Sequence, residues 1–143
     1  MIWHKKDSNK YRAKKTALEV DGKPHTFDSQ AEARYYLQLA QLQRAGEILT
    51  IELQPRFELQ PGYWKCCGEV STNTASKHIC PYCGKKIPKT PAIPYKADFK
   101  VIYKDGHVEI IDVKGAETRA FVRVKKMFEY RYPDLTLIVR KVR

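Results

Sequence analysis

Ala97-Asp98-Phe99-Lys100-Val101-Ile102-Tyr103-Lys104-Asp105-Gly106-His107-Val108-Glu109-Ile110-Ile111-Asp112-Val113-Lys114-Gly115 is the stretch on which the fold turns. Two apolar runs flank Asp105-Gly106, a strong short-range hairpin signal, and Gly115 closes the second run. Asp112 and Lys114 stand two apart on that run, so both project from the face that carries Val108 and Ile110. An acid and a base at the end of an apolar face are costly unless they pair or hold a ligand. With Lys104 paired to His107 across the turn, Asp98 lies opposite Val113, one step from Asp112. A bulge or a longer loop sets the two carboxylates side by side, where they repel each other unless a cation intervenes. Oxygen donors of this kind suit Mg²⁺ or Mn²⁺, and Lys114 then offers positive charge to a phosphate or an attacking water. The plainer alternatives are a surface ion pair for Asp112 and Lys114 and a strand terminator for Asp98.

Outward from this hairpin, a helix runs from about Glu117 to Tyr132 and is stopped by Pro133. Phe121, Val124, Phe128 and Tyr132 form its core stripe; Arg119, Arg123, Lys126 and Tyr130 line the opposite side. Leu135 to Val142 closes the chain as a strand. On the other side, Leu49, Ile51, Leu53, Phe57 and Leu59 alternate with polar residues in a half-buried strand interrupted at Pro55. Before it, Ser29 caps a helix that Ala45-Gly46 ends, with Glu32 three residues after the cap. Glu32, Tyr36, Leu39 and Gln43 share a stripe flanked by Ala33, Ala40 and Leu42, so the buried face carries Glu32, unless Glu32 only completes the capping box. Thr16 to Val20 and Thr26-Phe27, joined through Asp21-Gly22-Lys23-Pro24, predict a first short hairpin. The order helix, strand, insertion, hairpin, helix, strand indicates an α/β (α+β) fold, a mixed sheet flanked by helices.

Residues 61–94 break every periodicity. They hold all four cysteines and five of the eight prolines. Cys66-Cys67-Gly68 and Cys80-Pro81-Tyr82-Cys83-Gly84 have the knuckle form of a zinc ribbon, and four thiolates suit a closed tetrahedral Zn²⁺ site of structural type. Adjacent Cys66 and Cys67 depart from the usual C-x-x-C, which leaves His78 as an alternative fourth ligand. Disulfides are the other use of four cysteines, disfavoured in a reducing compartment. Lys77, Lys85, Lys86 and Lys89 suit this finger to DNA contact as well as to a plain structural clip.

The chain has 143 residues, of which 43% are hydrophobic, enough for one domain with a core. No apolar run approaches the ~20 residues of a membrane helix, and the first residues lack the apolar segment of a secretory signal. A cytoplasmic protein without a membrane partner is expected. Lys and Arg total 27 against 16 acids, a net charge of +11, which favours a polyanion such as nucleic acid. The excess is clustered. Residues 1–15 read as a basic arm with Lys5, Lys6, Lys10, Arg12, Lys14 and Lys15, and Arg119, Arg123 and Lys126 supply a second candidate DNA surface; a merely solvated charged face is the alternative.

Glu32 on a first helix, Asp98 opening a strand and Asp112-Val113-Lys114 on the next resemble the PD-(D/E)XK nuclease superfamily. Lys10-Tyr11, Lys14-Lys15-Thr16, Phe27-Asp28-Ser29, Leu53-Gln54-Pro55-Arg56-Phe57-Glu58-Leu59 and Asp112-Val113-Lys114-Gly115 are similar to a family of small phage and prophage proteins of unknown function related to that fold. The resemblance covers nearly all of the chain except the insertion. It implies residues 16–143 as one nuclease domain with a restriction-endonuclease-like αβββαβ core, interrupted at 61–94. It also implies one or two Mg²⁺ or Mn²⁺ ions and hydrolysis of DNA phosphodiesters. Asp98 and Asp112, the Val113 carbonyl and Glu32 would then ligate metal, and Lys114 would orient water or stabilise charge on phosphate. Ala97 replaces the proline that often precedes the first acid, and the second acid is Asp112 where the motif name has Glu; both are tolerated in the superfamily. Small basic phage members commonly resolve Holliday junctions as homodimers, so a branched-DNA endonuclease of the host cytoplasm is the expectation. The alternatives are a non-catalytic zinc-ribbon DNA-binding or regulatory protein on the same core, and a transposon-end or restriction-type nuclease.

Overall fold

Asp21 and Gly22 both hold positive φ, 52° and 74°, the backbone that two-residue hairpin loops require. They join β1 (Thr16–Val20) to β2 (Lys23–Phe27), with Val20 paired to Lys23. The computed structural model describes residues 14–73 and 78–141. Lys5, Lys6, Lys10 and Arg12 of the basic arm, Lys77, Val142 and Arg143 lie outside them.

Helix α1 (Gln30–Arg44) begins where the sequence places it: the Ser29 hydroxyl accepts the Glu32 N–H at 3.1 Å. Its buried face comprises Glu32, Ala33, Tyr36, Leu39 and Ala40. The predicted stripe stops there. Leu42 is exposed, and Gln43 lies outside, donating its amide to the Leu49 carbonyl at 3.3 Å.

Strands β3 (Ile48–Leu53) and β4 (Arg56–Gln60) follow, separated at Gln54-Pro55. The insertion contains β5 (Tyr63–Cys66), β6 (Glu69–Ser71) and β7 (Lys89–Thr90). Next come β8 (Ile93–Lys96), β9 (Phe99–Tyr103), β10 (Val108–Lys114), α2 (Arg119–Arg131) and β11 (Leu137–Lys141). The main sheet has the order β11-β10-β9-β3; β10 and β11 are parallel, and the other pairs antiparallel. Parallel neighbours need a crossover, and α2 provides it.

Burial on both faces of β10 explains its long apolar run. Ile111 and Val113 pack with Phe99, Val101 and the buried face of α1. Ile110 packs on the other side with Phe121, Phe128 and Leu137. Thr118, whose hydroxyl accepts the Phe121 N–H at 3.1 Å, caps α2, which therefore starts two residues later than the periodicity suggests. Val124 and Tyr132 are only partly buried. Arg119, Arg123 and Lys126 are exposed, and Tyr130 is 91% exposed.

The β3–β9 pairing continues, after a bend, into β4–β8: Leu53 faces Phe99 and Arg56 faces Lys96. At the bend Gln54 adopts φ 50°. Its N–H reaches the Asp98 carbonyl at 2.9 Å, and the Ala97 N–H reaches that of Pro55 at 3.1 Å. The arm beyond it is anchored on α2 by Tyr132, whose hydroxyl bonds the Glu58 N–H and carbonyl (3.0 and 2.9 Å), and by Phe57 edge-on to Phe128. The cysteine-bearing β5–β7 sheet occupies the loop of this long hairpin. Among the described residues no helix is long and apolar enough to cross a membrane.

Candidate functional site

The turn between β9 and β10 decides how the acids meet. Gly106 N–H bonds the Tyr103 carbonyl (2.9 Å) and Tyr103 N–H that of His107 (3.0 Å), so Lys104, Asp105 and Gly106 form a three-residue loop. The expected Lys104–His107 pair is therefore not made, and the ladder aligns Phe99 with Ile111. One step further, Asp98 comes across from Asp112, with its N–H on the Ile111 carbonyl at 3.0 Å. This is the longer-loop alternative, and it brings Asp98 near enough to Asp112 for the one charge to act on the other.

Each acid is held by named partners. Asp98 Oδ2 accepts the Val113 N–H at 2.6 Å. Asp112, 4% exposed, accepts the Tyr95 hydroxyl on Oδ2 at 2.5 Å and faces Lys114 Nζ from Oδ1 at 2.9 Å. Lys114 also lies 4.4 Å above the Phe121 ring, which places the start of α2 beside the site. Glu32, 8% exposed, accepts the Asp28 N–H (3.2 Å) and the Ser29 hydroxyl (3.1 Å). It therefore shares in a variant of the expected capping box, reaching the Asp28 N–H and the Ser29 hydroxyl and not the Ser29 N–H, and adds charge to the site.

The electrostatics tie the three acids together. Burial, with the charges of Asp112 and Glu32, pushes the Asp98 carboxyl up to about 7, against the opposing pull of the Val113 N–H and Lys114. Burial likewise raises Glu32, helped by Asp28 and Asp112. Burial and the bond to Asp112 raise the Tyr95 phenol, which stays a donor. Tyr95 is the site residue that sequence reasoning misses, because β8 straddles the end of the 61–94 insertion, with Tyr95 left between it and the run that resumes at Ala97. Its only signal was the apolar spacing of Tyr95 and Ala97 just before Asp98.

The cysteines form a separate cluster. Cys67 and Gly68 (φ 49° and 82°) make a tight turn from β5 to β6, and the second knuckle closes through the Gly84 N–H on the Cys80 carbonyl at 2.8 Å. All four sulfurs lie within 4.8 Å of one another, with Cys66 3.5 Å from Cys83 and 3.8 Å from Cys67. A tetrahedral ion with Zn–S of about 2.3 Å sets sulfurs about 3.8 Å apart, so the four can hold a metal such as zinc. The N–H of Cys83, then that of Tyr82, lowers Cys80 to about 6, whereas hydrogen bonding to Cys80 and Cys83 pushes Cys66 up to about 12. His78 is not in the group; its ring stacks on Trp64 at 3.5 Å, so Cys66 and Cys67 both contribute and the histidine alternative is set aside. Among the described residues this is the group of three or more ligand atoms that converges so tightly; Glu32, Asp98 and Asp112 do not.

Of the candidate DNA contacts, Lys14 and Lys15 are exposed beside β1, and Arg119, Arg123 and Lys126 face away from the core stripe of α2.

Comparison with curated proteins and with solved structures gave no match to either. Comparison with protein families matches residues 8–143, and the chain thereby belongs to the family described as "Protein of unknown function (DUF1064)".

Proposed function

We propose that the protein is a divalent-metal-dependent DNA endonuclease of PD-(D/E)XK type, with branched DNA as its preferred substrate. The observation that carries this reading is the meeting of Asp98, Asp112 and Lys114, with Glu32 adding its charge from the start of α1. The succession α1, β3, β9, β10, α2, β11 supports an αβββαβ core of restriction-endonuclease type. The preference for branched DNA, and a homodimer to cut it symmetrically, rest on the sequence resemblance.

The donor set fits a hard cation: the Asp112 charge raises both Asp98 and Glu32, and a cation among oxygen donors relieves that repulsion. Asp98, Asp112, Glu32 and the Val113 carbonyl would hold Mg²⁺ or Mn²⁺. Such an ion, when bound, polarises a phosphoryl oxygen and favours water as the nucleophile. Lys114 Nζ, seated against Phe121 and beside Asp112, would face the charge that develops on phosphate. Tyr95 fixes Asp112 through one oxygen and leaves the other turned toward Lys114. Ser29 and the Asp28 N–H fix Glu32. In the same reading the cysteine cluster holds a structural Zn²⁺ and the exposed lysines of the arm contact DNA.

The test is a cleavage panel of linear, nicked, flapped and four-way DNA with Mg²⁺, Mn²⁺, Ca²⁺ or EDTA. Cleavage with Mg²⁺ or Mn²⁺ only, fastest on four-way DNA, is the expected result. One observation favours a second reading: both oxygens of Asp112 are already engaged, as in a core that only binds. Tight binding of DNA with no cleavage under any metal would establish that non-catalytic reading.

A further inference from the structure

A groove of about 500 Å³ lies between α1 and the edge strand β11. Ala31, Tyr35, Val113 and Val139 supply its apolar and aromatic lining, and Arg34, Arg140 and Lys141 its charge; no acid lines it. The Val113 side chain is in the groove, whereas its N–H holds Asp98. The groove thus meets the carboxylate site at Val113, from the α1 side of β10, whereas Asp112 and Lys114 project from the other face toward Tyr95 and Phe121.

The cations differ in how they are held. Arg140 is fixed: its Nε–H donates to the Tyr35 hydroxyl at 3.2 Å, and a terminal nitrogen lies 3.8 Å from Glu109. A guanidinium has five N–H donors in a rigid fork, so these two contacts aim the group and leave donors unused. Lys141, on an exposed side chain, makes only a loose pair with Glu117 at 3.9 Å, of a kind worth little in water. Arg34 forms no ion pair among the described residues and is exposed. One fixed cation and two easily redirected ones over an apolar lining make a surface for a chain of phosphates with sugars or bases against the lining. The groove has the volume of a small-molecule pocket, enough for a short run of one strand.

We infer that this groove takes one strand of DNA and leads it to the carboxylate site. The inference rests on the nuclease reading for the identity of the polymer; the charge and shape of the groove stand without it. It adds Arg34, Arg140 and Lys141 to the DNA contacts and gives the outer face of α2 no part in seating that strand.

The experiment measures binding of a fluorescent single-stranded oligonucleotide and of its duplex in EDTA, where no metal-dependent cleavage intervenes. Arg34→Ala/Lys141→Ala should weaken single-strand binding roughly tenfold near 0.1 M salt. It should also reduce the log–log salt slope by about 1.4, from ~0.7 per lost single-strand phosphate contact. Duplex binding should change less. Arg34→Glu/Lys141→Glu, at the same exposed positions, should deepen the effect. Unchanged single-strand slope and affinity in both variants, or an equal loss on duplex, would overturn the groove assignment. Failure of the nuclease reading appears elsewhere, as the absence of metal-dependent cleavage by the unmodified protein.

Discussion

The cysteine cluster and the carboxylate cluster are assembled in opposite ways. The four thiols come from two tight turns, with seventeen positions from Cys66 to Cys83, and their sulfurs converge on one another, with the Cys83 and Tyr82 N–H groups also turned to Cys80. The carboxylates come from a helix start, a hairpin bend and the strand between β9 and β11, and each already has a partner: Ser29 for Glu32, Val113 for Asp98, Tyr95 and Lys114 for Asp112. The first cluster has the donor set for a metal such as zinc, which would hold its two turns together. The second is carried by the core, with Glu32 and Asp112 buried and each acid already hydrogen-bonded.

Removing zinc should break the comparison most forcefully. Structural Zn²⁺ contributes about 10–16 kcal/mol of apparent binding energy in small zinc domains near pH 7. Purified protein should carry about one zinc per chain, and Cys80→Ser or a strong chelator should release it. Trp64 emission should then shift to the red, because this tryptophan stacks in the ribbon. Amide protection in β9 and β10 should survive; its collapse would show that the two clusters are not independent.

The reverse test comes next. Asp112→Ala should lower cleavage by about 10³-fold, on the order of 4 kcal/mol in transition-state terms, with zinc content and DNA affinity retained. Cleavage at full rate by this variant would remove the carboxylate cluster from the chemistry. A smaller effect is expected of Tyr95→Phe. The lost hydrogen bond to a carboxylate is worth about 1.5–3 kcal/mol, read as a lower denaturation midpoint with the slope unchanged. A change below about 0.5 kcal/mol would reduce Tyr95 to packing. The smallest effect belongs to Arg119→Ala/Arg123→Ala. If the outer face of α2 touches duplex phosphates, the salt slope should fall by about two units, ~0.9 for each contact; an unchanged slope makes it a solvated face.

Much of this arrangement was legible because it is local. The Ser29–Glu32 spacing, the Asp-Gly turn and the Phe121/Phe128 period each depend on residues a few positions apart. The register of β9 on β10 was not, because Asp105-Gly106 is compatible with two-residue and three-residue loops, and only packing on both faces of β10 chooses between them. Tyr95 was hidden for a related reason. Pro91 and Pro94 made its strand read as irregular, yet β8 pairs with β4 across a distance that no local pattern reports. Arg140 bonds Tyr35, the neighbour of Arg34 in sequence, across 105 positions, which places that contact beyond any periodicity argument.

The long bent hairpin has a consequence for how the chain tolerates change. Gln60 and Ile93 are cross-strand partners, so the backbone leaves and returns through adjacent points. Everything between them is a closed loop, and the entropic cost of closure rises only ~0.6 kcal/mol for each doubling of length. The arm therefore works as a socket. A shorter turn, a longer module or a different metal knuckle can occupy it while Gln54 and Pro55 still bend the strand and Asp98 still meets Asp112.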